Sequence, residues 1–339
     1  MVLRSACGLL VAQIAGGVLA AQSGAFHWPT PNRAFAERQP YEKLVQPTVS
    51  GRTVSGLFGC VRSDGRQFHE GIDLRAVNRD RRGEATDEIS SLRPGVVRYA
   101  NGNSGWSDFG RYVVIEHPAE SLGVVSLYGH LASLARNTVA GAQVEAGQVL
   151  GVMGRSAAGY TIPRDRAHLH LEVGVWLSRN FQAWYDAQRY SSRNRHGVFN
   201  GFNVVGLDFL DFAERQRAGE VADLREYDAR LPVAVSVVVP DEMTPDFVDR
   251  YSALLAAVPA GDHAGWQIDF TWFGLPKHWR SLSRGELAGS SGGGPTIVFH
   301  DENLLERYPC QSVVQMRGGT PLPGPKLRQI LAILFARKS

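Results

Sequence analysis

Four of the chain's ten histidines fall near acidic residues at spacings that can build a catalytic centre. The densest stretch is AHLHLEV at 167–173, where apolar and polar residues alternate. Read as a strand, its period of two puts His168, His170 and Glu172 on one face, with the two histidines about 7 Å apart along it, and Leu169, Leu171 and Val173 on the other. His69 and Asp73 stand four apart in FHEGIDL. Gly71 followed by the β-branched Ile72 argues there for a loop entering a strand, whose backbone can turn both side chains toward one point. His130 ends a strand-like run in YGHL. Two imidazoles and a carboxylate from separate segments are the usual three-ligand set for a catalytic zinc, with the fourth position left for water. Taken singly, each of these histidines is more often a hydrogen-bonded strand residue. Burying four titratable groups on one sheet face is costly unless something pairs them, and a dication does so.

In order, spacing and flanking residues, the four motifs FHEGIDL, VVIEH with YGHL, GQVLGVMGRSAAG and HLHLEV resemble the lysostaphin-type, LytM-like zinc metallopeptidases, over about residues 51–178. The resemblance implies antiparallel sheets (the duplicated hybrid motif fold) with loops walling an open groove. It implies one zinc ion held by His69, Asp73 and His170, with His130 and His168 as the catalytic pair beside it, and peptidoglycan peptides as the substrate. Such a ligand set leaves the site a net charge of about +1, enough to bring the pKa of bound water toward ~7. His130 and His168 then share proton transfer and stabilisation of the oxyanion, in either division. Glu172 either orients His168 or His170 from behind or is a salt-bridged bystander. His117 occupies a position where the family often carries a histidine that is not a ligand, and is read as structural. The loop at 75–88 is longer and more charged than the family's link after the aspartate, which leaves substrate choice open. Two rival functions stand beside the peptidoglycan endopeptidase: a secreted protease acting on extended proteins, and a non-catalytic module that activates a separate cell-wall amidase. The filled ligand and catalytic positions speak against the second.

These residues need elements to position them. Short β-branched runs between glycines at 95–100, 111–117, 123–131, 147–154 and 168–176 predict an antiparallel, mainly β domain, interrupted by a solvated loop at 75–88. The 339 residues allow two domains at roughly 150 residues each. The expected organisation is a signal peptide at 1–21, a leader at 22–50 that is packed on the surface or acts as a linker, a LytM-like metallopeptidase domain at 51–212, and a smaller α+β accessory domain at 213–339. The last opens with a polar helical stretch at 213–228. Strands follow at 233–239, 266–274, 296–300 and 312–317, with a helix capped by Thr244 ahead of Pro245 and Asp246, and a final amphipathic helix from Pro325. The aromatics of WQIDFTWFG read as packing rather than a glycan platform. His263, His278 and His300 lack metal spacing.

A net charge of +3 over this length gives no argument for nucleic acid as a partner. The first residues carry one arginine, an uncharged apolar run too short to span a membrane, and small residues at a cleavage site. The expectation is export to the periplasm or beyond, without stable membrane insertion after cleavage. Cys7 leaves with the signal, so Cys60 and Cys310 either pair as a disulfide or remain free thiols.

Overall fold

The computed structural model describes residues 26–256, 262–288 and 293–337. The expected signal peptide at 1–21, with Cys7, lies outside the described residues. Among the described residues no helix is long and apolar enough to cross a membrane.

The strands up to residue 207 are β1 (Gly59–Arg62), β2 (Gln67–His69), β3 (Ile72–Arg75), β4 (Glu88–Ser90), β5 (Gly95–Asn101), β6 (Arg111–Glu116), β7 (Val125–Leu131), β8 (Ser133–Leu134), β9 (Gln143–Val144), β10 (Val149–Val152), β11 (His168–Trp176) and β12 (Val204–Leu207). Seven of them form one antiparallel sheet in the order β12-β11-β7-β6-β5-β9, with β3 also on β11. β4, β10 and β8 form a second sheet, and β1 and β2 a hairpin. The architecture is the mainly β one expected for this part of the chain.

β11 is the organising strand. It pairs β7 along one edge, and along the other it pairs β3 at 168–171 and β12 at 173–176. Leu169, Leu171 and Val173 are at most 2% exposed and join Leu74, Ile115, Tyr128 and Leu150 in the core behind the sheet. Strand alternation therefore commits His168, His170 and Glu172 to the opposite face. Gly71 lets β3 enter this close to β11, because a Cβ there would lie 2.2 Å from the Leu171 carbonyl oxygen.

Residues 26–50 of the expected leader make contacts with the sheet region and with the helix after β12. Val45 bridges to Leu74, and the Phe26 and Trp28 rings pack on Phe209, with Phe26 also against Phe212. The expected junction at 212/213 falls inside a helix, Phe209–Arg217, whose Asp208 cap accepts from the Asp211 N–H and whose Phe209 and Phe212 are buried. The polar stretch beyond it is broken: Gly219 at φ +75 ends one helix and Asp223 caps the next, Leu224–Arg230.

The C-terminal strands are β13 (Val235–Val239), β14 (His263–Phe270), β15 (Pro276–Ser283), β16 (Thr296–His300), β17 (Val314–Arg317) and β18 (Thr320–Pro323). The first four make an antiparallel sheet ordered β15-β14-β13-β16, and β17 and β18 form a two-stranded sheet. Thr244 does not cap the next helix. Pro245 stands at that position without a side-chain cap bond, and Asp246 instead accepts from Ser178 Oγ and the Arg179 N–H and pairs with Arg250. Trp266, Phe270 and Phe273 are buried, and Trp272 stacks on Tyr308 and packs edge-on against Phe58 and Phe68. The apolar core continues from the first sheet into the second without a break. A Cys60–Cys310 disulfide, 5.7 Å between Cα atoms, ties β1 to the C-terminal region beside Tyr308.

Candidate metal centre and catalytic face

β2 ends on His69, β3 carries Asp73, and β11 carries His170 directly opposite Asp73 in the ladder. Their side chains meet in a triangle. His69 Nε2 lies 3.2 Å from Asp73 Oδ1, His170 Nδ1 lies 3.0 Å from the same oxygen, and the two ring nitrogens are 3.1 Å apart. All three residues are at most 5% exposed. Among the described residues this is the one group of three or more such side chains able to hold a metal ion.

The partners behind the triangle decide what it can bind. His69 Nδ1 is 2.7 Å from the Leu57 carbonyl, which makes that nitrogen the donor and leaves a lone pair on Nε2. His170 Nε2 lies 2.9 Å from Glu172 Oε1, which places its proton there and leaves a lone pair on Nδ1. Two imidazole lone pairs and a carboxylate oxygen thus converge on one point. An ideal tetrahedral zinc site with bonds of about 2.0–2.1 Å has ligand edges of about 3.3 Å, so the donor set and its spacing fit that ion.

The electrostatics agree. Burial disfavours charge at Asp73, yet the surrounding histidines hold its carboxyl well below the usual carboxylate range. Burial also pulls His170 down, but Asp73 and Glu172 on its two nitrogens outweigh it and raise the imidazole to about 9, so that in the metal-free chain Nδ1 also carries a proton, which an ion between the donors would displace. The same pull acts on any cation placed between the donors.

His168 and His130 stand beside the triangle. Their rings are 4.8 Å apart, and His168 Nε2 is 3.5 Å from Asp73 Oδ1. His168 Nδ1 is anchored to the Arg166 carbonyl at 2.8 Å, and His130 Nδ1 to the Ser156 carbonyl at 2.9 Å. Each therefore keeps a free lone pair on Nε2. Burial, reinforced by its histidine neighbours, pushes His130 down to about 3, and burial lowers His168 as well. Both are neutral near pH 7, with Nε2 free of a proton. His130 sits at φ +61, a region non-glycine residues seldom adopt, and its N–H donates to the Phe109 carbonyl at 2.8 Å. Such strain persists where surrounding contacts over-determine it, as at working sites.

Glu172, 3% exposed, faces His170 and not His168. His117 is remote in role, held between the Pro94 carbonyl and Ser126 Oγ. His263 bonds Ser281, while His278 and His300 lie near Asp269 and Glu302, and none joins the centre. Sequence reasoning missed three contributors. Arg62 Nη2 donates to Asp73 Oδ2 at 2.7 Å, Phe109 stacks on His170 at 5.3 Å, and backbone carbonyls fix the ring tautomers. The SDG turn at 63–65 signals the hairpin that presents Arg62, but carbonyls and a stacking partner 61 positions from His170 leave no trace in spacing.

Fold and site together define a mainly β protein whose His-Asp-His cluster could hold a metal ion and is flanked by two neutral imidazoles. Residues 67–181, the stretch from β2 through β11, match the model of peptidase family M23. No curated protein matches the chain. Among solved structures the chain is similar to the LytM protein of Ruminococcus gnavus at 29% identity, covering 32% of this chain and 39% of that one with a TM-score of 0.25. It is also similar to the catalytic domain of the prophage-encoded M23 protein EnpA from Enterococcus faecalis, at 25% identity over 32% of this chain and 69% of that one, with a TM-score of 0.25. The catalytic domain of lysostaphin from Staphylococcus simulans is similar at 19% identity over 47% of this chain and 87% of that one, with a TM-score of 0.28. The chain thus spans well under half the length of the Ruminococcus gnavus protein.

Proposed function

We propose that the β-sheet region from residue 51 through β12 is the catalytic unit of an exported zinc endopeptidase that hydrolyses peptide bonds in bacterial peptidoglycan cross-links, with the C-terminal strands β13–β18 and their helices as an accessory unit. The observation that carries the reading is the convergence of a carboxylate oxygen and two imidazole nitrogens on one buried point, with the other nitrogen of each ring held by an acceptor behind it. His69, Asp73 and His170 would hold the zinc. The ion, when bound, polarises a scissile carbonyl and makes water acidic enough to attack near neutral pH. His168 and His130 accept the attacking water's proton at Nε2 and return it to the departing amine, and the protonated ring of the pair donates to the oxyanion. Glu172 keeps His170 in the ligating tautomer, Arg62 holds the second oxygen of Asp73, and Phe109 covers the His170 ring. Peptidoglycan as substrate draws support from the M23 match. Export draws support from the apolar N-terminus and from a disulfide, which persists in oxidising compartments.

The test is metal content and turnover of the purified chain on peptidoglycan beside casein. The expected outcome is about one zinc per chain and release of peptide ends from peptidoglycan. His170→Ala should lose metal and activity together, and His168→Ala should keep metal while losing activity. A wild-type chain that binds no zinc, or a His168→Ala chain as active as wild type, would defeat the assignment.

A further inference from the structure

Arg75 is the residue on the catalytic face that the centre does not account for. In the β3–β11 ladder Arg75 stands directly opposite His168, as Asp73 stands opposite His170. Cross-strand pairs project to the same side, so Arg75 shares the face of the metal triangle while Leu74 and Leu169 fill the core. Its Nε is shut off from solvent and has no acceptor, and its side chain makes no hydrogen bond or ion pair among the described residues.

The neighbouring charges are engaged elsewhere. Asp73 gives Oδ1 to the histidines and Oδ2 to Arg62. Asp80 accepts from the Arg82 and Glu84 N–H groups, and Asp87 from those of Val77 and Asn78. Glu84 is gripped by Arg155 and Arg164. Arg79 donates to the Gly83, Arg164 and Asp165 carbonyls, which staples the charged loop to the segment that leads into His168. Of the arginines around His168, Arg79, Arg155 and Arg164 thus build the wall, and Arg166 gives its carbonyl to His168; Arg75 is set apart by its place in the ladder, a cation without a partner among the described residues, on the face of the metal triangle. A half-buried guanidinium without an acceptor is a standing cost that a carboxylate removes through a two-pronged, charge-assisted contact.

We infer that Arg75 is a substrate-binding residue that reads a free carboxylate on a residue flanking the scissile amide. The inference rests on the peptidase reading and narrows its substrate to acidic cross-link peptides, in preference to uncharged strands such as glycine bridges. The test uses the full chain, as wild type, Arg75→Gln and Arg75→Lys, all loaded with zinc. Two synthetic cross-link peptides serve as probes, one with free carboxylates on the residues flanking the scissile amide and one with those carboxylates amidated. Calorimetric affinities are measured for both, with kcat/KM beside them. Wild type should bind the free form about tenfold or more tightly than the amidated form. In Arg75→Gln that ratio should fall to about one with the zinc content unchanged, and Arg75→Lys should restore part of it. Because the ratio is internal to each variant, a loss of folded protein does not alter it. A wild type that does not discriminate, or an Arg75→Gln chain that keeps the ratio, overturns the inference. Selective binding without turnover would defeat the peptidase reading and leave the Arg75 subsite standing.

Discussion

Glu172 offers the sharpest test of how the centre is built. The residue is 3% exposed, and its Oε1 lies 2.9 Å from His170 Nε2. If its task is to hold the proton on Nε2 and so keep the Nδ1 lone pair for the metal, two substitutions should separate charge from tautomer. In Glu172→Gln the amide oxygen still accepts from Nε2–H, but a hydrogen bond to a charged group, worth about 1.5–3 kcal/mol, becomes a neutral one worth about 1 kcal/mol. The difference of about 1 kcal/mol predicts zinc affinity lowered about fivefold to tenfold. Glu172→Ala removes the acceptor, so either a buried N–H is left unpaired at a cost of about 1–3 kcal/mol or the proton moves to the ligating nitrogen. Zinc affinity should then fall up to about 100-fold. Competition with a chromogenic zinc chelator at pH 7.5 measures both, with circular dichroism to confirm that the fold is retained. An alanine variant within twofold of wild type, or a glutamine variant weaker than the alanine one, would refute the tautomer argument.

Three other outcomes follow from the same structure. Burial, against the pull of the Pro94 carbonyl and with Arg93 nearby, pushes His117 down to about 4 from 6.5, so the folded chain keeps it neutral while the unfolded chain takes up the proton. Its contribution is fully present above pH 6.5 and is lost as pH falls toward 4; that is about 3 kcal/mol. Denaturant unfolding at pH 7.5 and 4.5 should show a smaller acid loss in His117→Gln than in wild type. The Cys60–Cys310 bridge closes a loop with a sequence separation of 250, for which chain entropy predicts about 5 kcal/mol. A Cys60→Ala, Cys310→Ala chain should unfold at markedly lower urea, and an unchanged midpoint would show that the bridge does not restrain the unfolded chain. Trp279 is 1% exposed between Phe247 and Trp266, so Trp279→Ala should cost about 3–5 kcal/mol in the same assay.

Much of the first sheet was legible because its strands alternate cleanly. HLHLEVGVW coincides with β11 residue for residue, and the runs at 95–100 and 111–117 match β5 and β6 to within a residue at each end. The C-terminal region was harder to read. β15 begins on a proline and follows a glycine-bearing turn, and PKHWRSLS is not among the strands expected from sequence; pairing with β14 makes it a strand, and proline is tolerated at its first position. The helix across 212/213 was obscured because its buried Phe209 and Phe212 belong to the same core as the leader's Phe26 and Trp28. Composition changes there, but packing does not.

Residue type and period alone determined that His168, His170 and Glu172 share a face, since a strand has a two-residue repeat whatever surrounds it. They also supplied the donor set of a zinc site. Period alone left open which histidine sits in the triangle and which stands beside it; the family resemblance named His170 for the first and His168 for the second, and the tertiary structure supplies the physical reason. That choice depends on β3 laying Asp73 opposite His170, and on Leu57, Glu172, Arg166 and Ser156 assigning each ring its proton. The same ladder left Arg75 across from His168 with no partner. Contacts between segments 12 to 101 positions apart are set by how sheets stack, and neither spacing nor propensity encodes them.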